Sequence, residues 1–121
     1  MTDREMLEMA AKAAGNVALI HNANTGEKYF GVVPNNKHCH GGTARWNPLT
    51  DDGDALRLAV RLHIEIEPVP FGGRAIVRDD DDYGEQFDEE SSDRMAATRR
   101  AIVRAAAEIG KRTTAQEGEH A

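Results

Sequence analysis

The unbroken run from Trp46 to Leu62, Trp-Asn-Pro-Leu-Thr-Asp-Asp-Gly-Asp-Ala-Leu-Arg-Leu-Ala-Val-Arg-Leu, constrains the fold of this chain more than any other stretch. Trp46 and Pro48 fix a loop, Thr50 or Asp51 can cap a helix, and the acidic first turn suits the positive end of the helix dipole. Asp54, Arg57 and Arg61 form only a narrow polar stripe, while Ala55, Leu56, Leu58, Ala59, Val60 and Leu62 cover the rest. This pattern predicts a helix from about Asp52 to Leu62 that is mostly buried, so other elements must pack around it.

Those elements can be read on either side. Thr2 followed by Glu5 is a capping box, and Met6, Leu7, Ala10, Ala13 and Ala14 recur at helical spacing up to Gly15, a good C-cap. Val17 to His21 and Lys28 to Val33 are rich in strand-forming residues and flank Asn24-Thr25-Gly26, which predicts a hairpin. From Pro34 to Arg45 the chain is polar and reads as a loop, with room for a short strand near Thr43. His63-Ile64-Glu65-Ile66-Glu67 alternates strictly, as a half-buried strand does, and Ala75-Ile76-Val77 can return as its partner after a turn at Pro68, Pro70, Gly72 and Gly73. A last helix should start at Asp93 or a neighbouring serine and stop at Gly110. Its Met95, Thr98, Ile102, Ala105, Ala106 and Ile109 lie inward, with Arg94, Arg99, Arg100 and Arg104 outside. The expected order is α-β-β-α-β-β-α, an α+β domain over residues 1–110 with its helices packed on one small antiparallel sheet. Residues 79–92 are expected as an exposed acidic loop and 111–121 as a disordered tail.

A chain of 121 residues has room for one core. Cys39 is the only cysteine, so no intrachain disulfide framework can form, which fits a reducing compartment. Asp3, Glu5 and Glu8 stand where a signal peptide would be basic and then apolar, and no apolar run is long enough to span a bilayer, so cytoplasmic residence is expected. Net charge is −6, and it is local: residues 79–93 hold nine carboxylates and no base, whereas the other 106 residues carry 15 basic and 12 acidic side chains. Nucleic-acid binding works by neutralising phosphates with Lys and Arg, so a direct nucleic-acid partner is disfavoured.

Four constellations bear on chemistry. His38-Cys39-His40 could direct two imidazoles to one side, with His21, His63 or a carboxylate completing a metal site, but it lacks the spacing of a structural zinc site. Asp79, Asp81, Gly84 and Glu90 match positions one, three, six and twelve of a calcium loop, while Tyr83 and Gln86 depart from it. No metal and no cofactor is assigned on these patterns. Trp46 either closes the core or offers a platform for a base, with Asn47 beside it and Arg57, Arg61 or Lys37 meeting phosphates. Asp51, Asp52 and Asp54 already occupy the adjoining dipole end, which makes phosphate capture there poor. The acidic segment has two readings. It is a solvated loop that partly neutralises the arginines of the following helix, or it is a negative surface for a basic partner. In the second reading Asp79, Asp80, Asp81, Asp82, Glu85, Asp88, Glu89 and Glu90 supply the field and Tyr83 and Phe87 are apolar anchors. No nucleophile elbow, Walker loop, dinucleotide fingerprint or paired Cys motif is present.

With Trp46-Asn47-Pro48 leading into a helix, and Ala97-Thr98-Arg99-Arg100-Ala101-Ile102-Val103-Arg104 near the end, the chain resembles small phage and prophage proteins of unknown function, the NinX-like group among them. The shared features are a short aromatic-x-Pro loop in mid-chain and a terminal helix with an Ala-x-Arg-x-x-Val character. The opening from Thr2 to Ala14 is of the same type. That resemblance implies a phage accessory protein in the host cytoplasm rather than a virion component, and no activity comes with it. Such proteins commonly occupy host machinery. The expectation is therefore a non-catalytic, anti-CRISPR-like inhibitor that binds a host defence protein with a basic surface. Two alternatives are a sponge that sequesters a cyclic-nucleotide immune signal at Trp46, and a metal-dependent enzyme using His38 and His40. A homodimer is compatible with the size but is not written in a residue pattern.

Overall fold

The computed structural model describes residues 1–33, 45–78 and 84–119, with side chains described as far as Thr114. Thr2 starts helix α1 (Asp3–Ala14): its Oγ1 accepts the Glu5 N–H at 3.1 Å, and Gly15 closes the helix in the left-handed region. Strands β1 (Val17–His21) and β2 (Lys28–Val32) pair antiparallel, with Val17 opposite Val32. Their turn is tied by the Asn22 side chain, which accepts the Asn24 N–H at 3.0 Å. Helix α2 (Asp52–Leu62) occupies the span the sequence predicts. Of its two candidate caps Asp51 does the capping, accepting the Asp54 N–H at 2.8 Å, and His63 ends the helix at φ 57°.

Strand β3 (Glu65–Val69) and strand β4 (Gly72–Arg78) form the second hairpin. Its turn is shorter than the prolines and glycines suggest, since Pro68, Gly72 and Gly73 all lie in the strands. Pro68 is tolerated because β3 is an edge strand. Strand β5 (Gly84–Glu90) then pairs with β4, from Arg78 opposite Gly84 to Gly72 opposite Glu90. The class is α+β, as expected, with the order α-β-β-α-β-β-β-α. Two small antiparallel sheets, β1-β2 and β3-β4-β5, replace the single sheet inferred from sequence.

Helix α3 (Arg94–Glu119) runs through the middle of this arrangement. Asp93 caps it, accepting the Ala96 N–H at 3.0 Å. The helix packs against β4 and β5, against α1, and along α2. Ala97, Ala101, Ile102, Val103, Ala105, Ala106 and Ala107 are all buried, together with Met6, Ala10, Ala11 and Ala14 of α1 and Ala55, Leu58 and Ala59 of α2. So many alanines let backbones approach closely. A Cβ on Gly73 would stand 2.5 Å from the backbone of Thr98, so β4 lies directly against α3.

Gly110 does not stop the last helix. It lies inside α3, where a Cβ would meet the Met9 carbonyl oxygen at 2.0 Å, and it marks the crossing point with α1. Asp3 pairs with Arg100 near one end of this contact and Met9 meets Gly110 near the other, so the two helices run in the same sense. The expected disordered tail is corrected on the same ground, because the helix continues to Glu119. Beyond the crossing, Arg112 pairs with Glu85, and the Thr113 and Thr114 hydroxyls donate to the Ile109 and Gly110 carbonyls at 3.1 and 3.0 Å. Among the described residues no helix is long and apolar enough to cross a membrane.

Replacing Gly110 with Ala separates helix propensity from packing. Propensity alone would stabilise an interior helix position by about 1 kcal/mol. Overpacking against Met9 costs about 1–3 kcal/mol, so Gly110→Ala is expected to lower stability in urea denaturation. An unchanged or raised midpoint would remove the close crossing.

Candidate partner-binding surface

The carboxylates of residues 84–90 belong to a strand, which corrects the expected exposed loop. A sequence with five charged or amide side chains in seven residues makes a poor strand unless its neighbours compensate, and here they are arginines. On one face of the sheet Glu67, Arg74 and Asp88 stand in register across β3, β4 and β5. Arg74 Nε donates to Asp88 at 2.7 Å and reaches Glu67 at 3.4 Å. Arg78 donates to Glu65 at 2.8 Å on the same strands. Toward α3, Arg104 holds Glu89 at 2.9 Å and also donates to the Asp88 carbonyl at 2.9 Å, with Arg100 3.8 Å from Glu89. Arg112 takes Glu85.

Individually such exposed pairs contribute about 0–1 kcal/mol. Together they fix where each carboxylate stands. The Arg74 hydrogen bond holds the Asp88 carboxyl below the usual carboxylate range, with Arg104 adding to the effect against some desolvation, and Arg74 is held charged in return. Phe87 is not an external anchor. It is 8% exposed, opposite Ala75 in the core, with the Arg104 guanidinium 5.8 Å from its ring centroid. Glu90 and Asp88 face solvent, and Glu89 is half-buried.

Other predicted positions are distributed as follows. Asp79, Asp80, Asp81, Asp82 and Tyr83 lie outside the described residues, and so do Lys37, His38, Cys39, His40 and Thr43. Hence the metal and calcium patterns rest mostly on undescribed positions. His21 ends β1 and His63 ends α2, both exposed. Among the described residues no group of three or more His, Cys, Asp or Glu side chains is placed to hold a metal ion.

Trp46, Asn47, Arg57 and Arg61 are brought together, but mostly by structural bonds. Trp46 is 6% exposed and packs edge-on to Phe30, with ring centroids 6.2 Å apart, while its backbone N–H donates to the Phe30 carbonyl at 2.8 Å. Little ring face is left for stacking. Asp54 is buried, accepting the Asn47 N–H at 2.9 Å and Arg57 at 2.8 Å, so it ties the loop to α2. Arg61 donates to the Ala14 carbonyl, and Arg99 reaches from α3 to the Leu49 carbonyl at 2.9 Å. The cavity beside Trp46, Arg57 and Arg61 is about 80 Å³, well below the ~300–1,000 Å³ of ordinary small-molecule sites.

Pairing of the acidic segment with arginines of the following helix was anticipated, and Arg100 and Arg104 do engage Glu89. Two further features were missed from sequence. The part played by Arg74 and Arg78 on β4 could have been suspected from their i, i+4 spacing, which puts both on one face of a strand. The exposure of Leu56 and Val60 corrects the mostly buried α2, and that of Met95 corrects its inward placement on α3. Comparison with protein-family models, with curated proteins and with solved structures found no match.

Because the folded Asp88 carboxyl titrates below its ordinary value, the stability it contributes is complete above about pH 4 and is lost as pH falls through the lowered value. Melting temperature measured from pH 6 downward should therefore drop more steeply below about pH 4 in the native chain than in Asp88→Asn. Parallel curves would show that the Arg74 pair does not couple to folding.

Proposed function

We propose that this protein is a non-catalytic accessory protein of the phage type, which binds a host defence protein through an acidic surface and inhibits it by occupying a basic face. The site is the β5 edge of the sheet together with the connection that precedes it. One observation carries this reading. Arg78 pairs with Gly84, so the β4–β5 ladder is complete on both sides of a five-residue connection containing four consecutive aspartates. The neighbouring arginines Arg74, Arg104 and Arg112 are engaged by Asp88, Glu89 and Glu85.

Four aspartates consecutive in sequence, followed by an acidic strand, suit electrostatic capture. Like charges brought together raise the local field, which speeds encounter with a basic surface and repels acidic competitors. The ordered carboxylates of β5 extend that field along an edge strand. A partner cation could exchange with Arg74 or Arg104 at little net cost, because exposed pairs of this kind are weak.

Copurification of the tagged chain from a bacterial host, followed by mass spectrometry, identifies the partner. Replacing Asp79, Asp80, Asp81 and Asp82 with Asn should leave the circular dichroism spectrum unchanged. It should weaken binding about tenfold or more at low salt, with the difference shrinking as salt screens the charges. Equal affinity of the two proteins would end the acidic-surface reading.

A further inference from the structure

A strand at the border of a sheet turns alternate N–H and C=O groups outward, ready to pair with another chain unless something blocks them. The two sheets have such borders at β1, β2, β3 and β5, and all but one are blocked. On β2 the outward Phe30 carbonyl accepts the Trp46 backbone N–H at 2.8 Å, and Gly31 bridges Arg45. Strand β3 carries Glu65, Glu67 and Pro68. On β5, which is acidic, the outward Asp88 carbonyl is taken by Arg104 at 2.9 Å. Strand β1, Val-Ala-Leu-Ile-His, has no carboxylate, Lys, Arg, proline or glycine, and among the described residues no backbone bond meets its outer border.

Hairpin register says which groups are open. The Asn22 N–H donates to the Glu27 carbonyl and the Val33 N–H to the Asn16 carbonyl, both at 2.8 Å. Even-numbered residues of β1 therefore bond to β2, while Val17, Leu19 and His21 turn their N–H and C=O groups away from it. The side chains of those three residues share one face. Leu19 lies opposite Phe30, and the bridge from Gly31 to Arg45 sets Trp46 beside Phe30 in turn, with the two rings 6.2 Å apart. Trp46, Phe30 and Leu19 thus form one row across the sheet, buried at Trp46, half-buried at Phe30 and 47% exposed at Leu19. Val17 and Val32, on the same face, pack against the core. Leu19 belongs to the inward side of the hairpin and is left open where the sheet stops.

We infer that β1 of a second copy of this chain pairs antiparallel with this β1 about a two-fold axis at Leu19, joining two hairpins into one continuous sheet. Open groups arranged in series along a strand are met only by another extended backbone, and outward residues must face outward residues. Centring the pair on Leu19 satisfies that rule for the whole strand: Leu19 faces Leu19, Val17 faces His21 and Ala18 faces Ile20, so every open group of β1 finds a partner. Two observations favour a second copy as the occupant. A strand without carboxylates, Lys or Arg meets no like-charge penalty when it faces itself, and it offers no charge to recognise an acidic or basic peptide. Leu19 of the second copy also continues the row from Trp46 and Phe30, covering the one apolar side chain of that row that is exposed. A two-stranded ribbon is weak by itself and gains from added strands. The contact is small, so a concentration-dependent equilibrium is expected. Because β1 and β5 belong to different sheets, this pairing stands independently of the acidic-surface reading.

Sedimentation equilibrium of the full chain, from micromolar to near-millimolar concentration, should show monomer and dimer in exchange. Leu19→Lys and Leu19→Glu each set two like charges against one another at the axis. Either should raise the dissociation constant about tenfold or more with the circular dichroism spectrum unchanged. An equimolar mixture of the two variants sets Lys against Glu and should restore association, a result that pairing through any other surface would not give. A chain that stays monomeric throughout overturns the inference, even if β1 then accepts a strand from a different protein. So does a dimer indifferent to both substitutions, and so does a mixture that fails to reassociate.

Discussion

Close packing of α3 is the constraint on which the other elements depend. A helix enclosed by a sheet, by α1 and by α2 can bury two turns only if its side chains are small, and between Ala97 and Ala107 five alanines are buried with Ile102 and Val103. Small side chains contribute little apolar area each, so the gain comes from many backbone-level contacts at near-crystalline density. Two glycines complete the fit. Gly73 admits the helix to β4, and Gly110 admits α1 to α3. Once these approaches are made, little freedom remains in where β4 and its neighbours lie.

Arginine then does at the surface what alanine does inside. Arg99 ties α3 to the Leu49 carbonyl and to Asp52, Arg100 ties it to Asp3, and Arg104 and Arg112 tie it to β5. Four of the five segments around α3 are thus joined to it by guanidinium groups whose planar forks accept two partners at once. The pairs are individually weak, yet the lattice decides which acidic side chain stands where. A strand of carboxylates exists because of its neighbours, and the same neighbours give the acidic edge its fixed geometry.

The extent to which this was legible in sequence follows the range of the interactions. Thr2, Asp51 and Asp93 accept from amides three residues on, and the Gly15 N–H donates to the Ala11 carbonyl, so both ends of α1 and the starts of α2 and α3 could be read directly. Alternation in His63-Ile64-Glu65-Ile66-Glu67 located a strand but not its bounds or its buried face, since His63 closes α2, β3 starts at Glu65 and Ile66 is exposed. Strand β5 was hidden because its only apolar inward residue is Phe87, and because the bases that permit it are Arg74 on β4 and Arg100, Arg104 and Arg112 on α3. Gly110 carries the same local signal whether it ends a helix or lets another helix cross it. Only Met9, far away in the chain, distinguishes the two. Leu56 and Val60 show a related limit, since apolarity says that a surface should be covered without saying by what. Of the acidic site, composition disclosed the charge and missed its organisation.

All of this rests on the acidic segment being an ordered strand held by arginines. Amide hydrogen exchange across residues 84–90 tests that most directly. The account predicts protected amides where β5 bonds to β4, exchanging far more slowly than an open loop. Exchange at the rate of unstructured chain throughout that span would contradict it.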